Sequence, residues 1–273
     1  MKARTEAQVR NRIDRRFQEL RARKEKALIP YITAGDPDLA TTQELVWAFE
    51  KAGADVLELG VPFSDPLADG TTIQRASQRA LEHGCTLKAV ISAVGRIRER
   101  SQVPLVLMSY VNPILRMGAQ EFATRAGHAG VDGVIIPDLP PEEAQEIARC
   151  CDASGIHMIF LAAPTSTDAR LRHIVEASRG YIYYVSLKGV TGARDTLEAG
   201  LEASLARLRR LTDKPIAVGF GISTPAQAAT VARLADGVIV GSAIVERIER
   251  ARGHPGMVEG VAGVVRTLKL ALS

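Results

Sequence analysis

The chain has 273 residues, enough for two small domains or for one α/β barrel of about 250 residues. With 46% hydrophobic and 24% charged residues it has an ordinary globular composition. No apolar run reaches the roughly 18 residues of a membrane span, so a membrane protein is not expected. The net charge of +4 is uneven: residues 1–26 hold ten basic and four acidic side chains, leaving the rest of the chain at −2.

In that basic stretch Ile13, Phe17 and Leu20 fall at helical spacing. Residues 8–24 therefore read as an amphipathic helix covering an apolar surface, its charges solvated, and not as a nucleic-acid-binding segment. Short runs rich in Val and Ile follow at 28–33, 56–60, 105–110, 134–138, 158–162, 181–186, 216–219 and 238–241. Each is followed by a helical pattern, which demands parallel pairing by crossover. Eight such units predict closure into a single-domain (β/α)₈ TIM barrel spanning 1–273, with the first helix added beneath it. The stretch 187–200 exceeds the usual βα connection and is expected to be a mobile loop over the site.

Three junctions repeat: Asp55, Asp132 and Asp236 each follow small residues and stand just before a strand. Strand starts form the bottom of a barrel, so these carboxylates are expected to serve stability. Cys85, Cys150 and Cys151 lack metal-ligand spacing and read as reduced cytoplasmic thiols. The five histidines are scattered, and no metal site is expected.

Chemistry in such a barrel gathers at the C-terminal ends of the strands. In Val56-Leu57-Glu58-Leu59-Gly60 the period-2 rule puts Glu58 on the face opposite the leucines, pointing into the barrel. Desolvation there raises a carboxyl pKa, which suits proton transfer at neutral pH. The Pro62-Phe63-Ser64-Asp65-Pro66 turn that follows resists both helix and strand. By spacing alone, Asp65 or Asp69 could join the chemistry or merely bind turn amides. After the last two strands, Gly219-Phe220-Gly221 and Gly241-Ser242 lead into helices, the second opening a short helix after strand 8. Loops in these two places are the usual phosphate grip of the fold, built from backbone N–H groups and a helix N-terminus.

Several segments together resemble tryptophan synthase alpha subunits: residues 29–37, 189–192, 219–223 and 241–245, and above all Glu-Leu-Gly-Val-Pro-Phe-Ser-Asp-Pro-Leu-Ala-Asp-Gly at 58–70. The resemblance runs from about residue 11 to the C-terminus, with 1–10 as a flexible extension. It implies retro-aldol cleavage of indole-3-glycerol phosphate to indole and glyceraldehyde 3-phosphate without a cofactor. It further implies a cytoplasmic α₂β₂ complex in which a β subunit receives the indole. Glu58 matches the general acid/base and Asp69 the carboxylate that holds the indole N–H. Pro62 and Asp65 match the loop coupled to the partner. Tyr31, Ile73, Met108 and Ile135 match the indole pocket. Tyr183 matches the tyrosine beside the acid/base, which parity alone could not separate from Tyr184. Thr191 matches the loop residue that bridges to Asp69. Gly192, Phe220, Gly221, Gly241 and Ser242 match the phosphate grip. Departures are small: Tyr31 stands where Phe is frequent, Met108 where Leu is found and Thr71 where Pro is common.

Overall fold

The computed structural model describes residues 11–185, 194–219 and 221–272, with backbone alone over 194–199. Its strands are β1 (Ala27–Thr33), β2 (Leu57–Gly60), β3 (Leu105–Met108), β4 (Gly133–Ile135), β5 (His157–Ile159), β6 (Leu161–Ala162), β7 (Ile182–Val185), β8 (Ile216–Gly219) and β9 (Gly237–Val240). The helices are α1 (Arg12–Arg23), α2 (Leu39–Lys51), α3 (Thr71–Glu82), α4 (Leu87–Arg98), α5 (Val111–Met117) and α6 (Ala119–Ala129). They continue as α7 (Gln145–Ala153), α8 (Asp168–Ala177), α9 (Arg194–Arg209), α10 (Pro225–Leu234), α11 (Ser242–Ala251) and α12 (Met257–Leu270).

All strand pairs are parallel, in the order β5-β4-β3-β2-β1-β9-β8-β7-β6. β5 and β6 are two halves of the predicted fifth strand. The first half pairs with β4 and the second with β7, which brings the sheet round into a barrel. The break falls at Phe160, whose N–H donates to Ser178 Oγ at 3.3 Å. All eight expected strands are present, and several are shorter than expected. The fourth ends at Ile135, just ahead of Pro137, and the third ends at Met108 because Tyr110 is the N-cap of α5. The expected 187–200 loop is corrected at its far end: 194–200 belong to α9, and 187–193 lie outside the described residues. The expected extension at 1–10 lies outside them as well.

Side chains alternate as a closed parallel sheet requires. Leu28, Leu57, Leu59, Leu105, Leu107, Val134 and Ile216 point outward and pack with the helices in the larger apolar cluster. Ile29, Val56, Val106, Ile135, Ile159, Tyr181, Tyr183, Ala217 and Ile239 fill the interior. Ile13, Phe17 and Leu20 of α1 enter this inner cluster, so the helix plugs the barrel from below.

The basic side chains of α1 have partners at the same end. Arg12 meets Asp132 at 2.9 Å and Arg16 meets Asp55 at 2.6 Å. Asp55 also accepts from Lys269 and from the Leu28 N–H, both at 2.7 Å. Asp132 accepts from Arg98 at 2.6 Å and the Leu105 N–H at 2.8 Å. Asp236 accepts from Arg209 and, at 2.8 Å, from the Ile216 N–H. The three repeated aspartates therefore act alike. Each caps an amide at the start of the neighbouring strand and neutralises a cation of the surrounding helices.

Removing one such carboxylate strands its cations and its amide. Asp55→Ala is expected to lower unfolding free energy by about 3 kcal/mol. Urea denaturation would show this as a lower midpoint at unchanged slope. A midpoint equal to that of the wild type would deny Asp55 this role.

Candidate active site at the barrel mouth

β2 delivers Glu58 into the barrel interior with no measurable solvent exposure. Tyr181 donates its hydroxyl to Glu58 Oε1 at 2.7 Å, and Oε2 has no hydrogen-bond partner among the described residues. Burial raises the Glu58 carboxyl to about 8, the Tyr181 hydrogen bond opposing the shift without cancelling it. The acid is therefore mostly protonated at neutral pH, with one oxygen free of internal partners.

Asp69 is half-buried in the loop after β2. Burial raises its carboxyl to about 6, against a hydrogen bond from Tyr110, so at neutral pH it is mainly ionised. Tyr110 also accepts from the Ala68 N–H at 2.9 Å and stacks on Phe63 with ring centroids 5.1 Å apart. One tyrosine from the end of β3 thus holds the loop at both Phe63 and Ala68. Asp65, by contrast, is exposed and accepts from Ser64 Oγ at 2.6 Å, while Pro62 is buried. The two aspartates therefore differ in setting: Asp69 is partly buried beside Tyr110, and Asp65 faces water.

The pocket residues converge from four strands and one helix. Tyr31 pairs in register with Glu58 across β1 and β2. Its ring lies over Gly60, where a Cβ would stand 1.9 Å from the Tyr31 hydroxyl, so position 60 admits only glycine. Ile73 and Met108 pack on the small cluster of Tyr31, Ala76 and Val245. Ile135 and Tyr183 belong to the inner cluster. Tyr183 rests over Gly219 in the same manner, its hydroxyl 2.5 Å from where a Cβ would be, while Tyr184 faces the outer layer. Tyr31 and Tyr183 each lie in the field of both Glu58 and Asp69.

Sequence reasoning passed over Tyr181 and Tyr110. The signal was available for both. Tyr181 shares strand parity with Tyr183, and Tyr110 shares it with Met108.

The two candidate phosphate turns are not equivalent. The N-terminus of α10 is closed by its own capping box, with Thr224 accepting from the Gln227 N–H at 3.3 Å and Gln227 accepting from the Thr224 N–H at 3.2 Å. The N-terminus of α11 starts at Gly241-Ser242 with no side-chain cap. Its leading amides and positive dipole end are left for an anion. Gly221 is exposed with φ +71°. Thr191, Gly192 and Phe220 lie outside the described residues.

Known proteins carry the same plan. A family model described as tryptophan synthase alpha chain matches residues 17–272. A tryptophan synthase alpha chain of Citrifermentans bemidjiense is 51% identical, over 95% of this chain and 97% of its own length. The crystal structure of tryptophan synthase subunit alpha from Legionella pneumophila superposes with a TM-score of 0.90 at 41% identity, covering 97% of this chain and 99% of that one. A tryptophan synthase α₂β₂ complex from Pyrococcus furiosus, described in terms of mutual activation, contributes a chain of TM-score 0.82 and 40% identity, covering 89% and 98% of the two chains. A match over nearly the whole length, in both sequence and backbone, places this chain in the tryptophan synthase alpha chain family.

Proposed function

We propose that this protein cleaves indole-3-glycerol phosphate to indole and glyceraldehyde 3-phosphate and passes the indole to a tryptophan synthase β chain. The observation that carries the mechanism is the unequal pair of carboxyls around one space, Glu58 at about 8 and Asp69 at about 6. Environments that push two acids apart in this way assign one the role of proton donor and the other that of anion.

Indole is a poor leaving carbon until C3 is protonated. The neutral Glu58 carboxyl gives its proton to C3, and the ring becomes a cation centred on its nitrogen. Asp69, ionised, accepts the N–H hydrogen bond and stabilises that charge. The bond from C3 to the glycerol chain then breaks, its electron pair returning to the ring. The adjacent hydroxyl loses its proton to the Glu58 carboxylate as it becomes the aldehyde, so the acid is regenerated. At the other end the uncapped α11 start with Gly241 and Ser242 holds the phosphate dianion, assisted by Gly221, Gly192 and Phe220. Binding energy gathered there positions the reacting bond. Tyr31, Ile73, Met108, Ile135 and Tyr183 enclose the ring, and the family resemblance assigns Thr191 the contact with Asp69.

Two features support docking of a β chain at the barrel mouth. Leu67 is 94% exposed in the loop that carries Pro62, Asp65 and Asp69, and Leu115 of α5 is 57% exposed. The Phe63–Tyr110 stack joins that loop to the β3–α5 junction, so a partner covering the leucines would bear on Asp69. Among the described residues no helix is long and apolar enough to cross a membrane. A cytoplasmic location fits the proposed biosynthetic role.

Glu58→Gln is expected to lower indole release by about 10³-fold while glycerol 3-phosphate still binds. Retained turnover would remove Glu58 from the chemistry. Because Asp69 must be ionised and Glu58 protonated, kcat/KM for the wild type should be bell-shaped, with limbs near 6 and 8. Tyr181→Phe removes a hydrogen bond that favours the charged form of Glu58, so the alkaline limb should move above 8. An unmoved limb would assign that limb to another group. The same shift has a stability signature. The folded state keeps a proton that the unfolded chain releases, so wild-type stability falls relative to Glu58→Gln as pH rises from about 4.5 to about 8. Parallel stability curves for the two proteins across that range would contradict the raised value.

A further inference from the structure

A charged cluster outside the substrate-facing residues joins three of the segments that carry them. Asp36, in the turn after β1, is only 2% exposed. Arg79 of α3 grips it with two nitrogens, Nε to Oδ1 at 2.9 Å and Nη2 to Oδ2 at 2.7 Å. The third nitrogen of Arg79 donates to Glu249 Oε1 of α11 at 2.7 Å. Arg75, one turn earlier on α3, forks the same glutamate, with Nε to Oε1 at 3.0 Å and Nη2 to Oε2 at 2.8 Å. Beside this cluster the contact is apolar: Ala76 of α3 and Val245 of α11 pack together against Tyr31.

The placement of the two helices gives the cluster its meaning. α3 begins at Thr71, two residues beyond Asp69, so its position sets where that carboxylate stands. α11 begins at Ser242, the uncapped end assigned to the phosphate, and Glu249 lies two turns further along it. The loop ahead of α3 has no regular structure of its own and is held by Tyr110 and by α3. Arg79, forked on Asp36 and bonded to Glu249 by its third nitrogen, ties the β1 turn, α3 and α11 together with fixed distance and angle, which a point charge does not.

We infer that Arg79 and Glu249 are positioning residues that brace α3 against α11 and thereby set the span between Asp69 and the phosphate-binding helix start. The inference rests on the proposed substrate, whose ring N–H and phosphate lie at opposite ends of one molecule. Phosphate binding assists cleavage only if the ring then meets Asp69 and Glu58 at reacting distance, and small misplacements are costly. The brace serves the alignment of the two ends, and neither end by itself.

The test uses the full chain with its β partner and three measurements: kcat and KM for indole-3-glycerol phosphate, Kd for glycerol 3-phosphate, and melting temperature. Glu249→Gln keeps the side-chain volume and removes the charge. Arg79→Lys keeps the charge and removes the fork. Both variants should bind glycerol 3-phosphate within about twofold of wild type, yet lose about tenfold or more in kcat. A lower melting temperature with unchanged kcat and KM would overturn the inference, leaving an ordinary surface ion pair. A loss of glycerol 3-phosphate affinity equal to the loss in kcat/KM would overturn it too, because the effect would then be local to α11. A wild type that releases no indole but binds glycerol 3-phosphate would instead refute the proposed substrate.

Discussion

An ionised carboxylate inside a barrel of apolar strands is poorly stabilised, and among the described residues the interior around Glu58 is lined by apolar and aromatic side chains. Burial is the largest influence on its proton affinity, opposed among the described residues by the hydrogen bond from the Tyr181 phenol. Much of the molecule follows from keeping this acid buried and away from a cation. A lysine or arginine beside it would restore an ordinary carboxylate and end its use as a proton donor at neutral pH. The lower end of the barrel therefore has to be closed by something apolar. Ile13, Phe17 and Leu20 of α1 do this, with Phe17 against the Tyr181 ring at a centroid distance of 5.6 Å.

The uneven charge of the chain is explained by the same helix. Arg12 and Arg16 of α1 lie beneath the strands and are taken up by Asp132 and Asp55. These two arginines of the basic stretch thus serve the barrel bottom. The three aspartates combine this neutralisation with the capping of strand amides, which is why they recur at equivalent junctions.

At the opposite end, local capping separates two similar glycine turns. α10 has a capping box from Thr224 and Gln227, while α11 has no side-chain cap, so the α11 start is the better suited of the two to an anion. Asp69 is held by Tyr110 on one side and by Gln74 of α3 on the other. The arrangement places a positive backbone end, a neutral acid and an anion around a pocket of large apolar and aromatic side chains.

Much of this was legible beforehand. Alternating Val/Ile runs and helical stretches determine a parallel barrel, because their periods and spacing admit little else. Parity alone turned Glu58 inward, and the strand-start position of Asp55, Asp132 and Asp236 marked them as structural. The long-range partners were not legible. Arg16 reaches Asp55 and Tyr181 reaches Glu58 across 39 and 123 residues, separations over which sequence period carries no information. The start of α9 at Arg194, inside the expected loop, was not legible either. Choosing Asp69 over Asp65 and Tyr183 over Tyr184 required either the family resemblance or the closed barrel. Which of two neighbouring side chains loses its water is decided by what packs on it, and only the tertiary structure holds that.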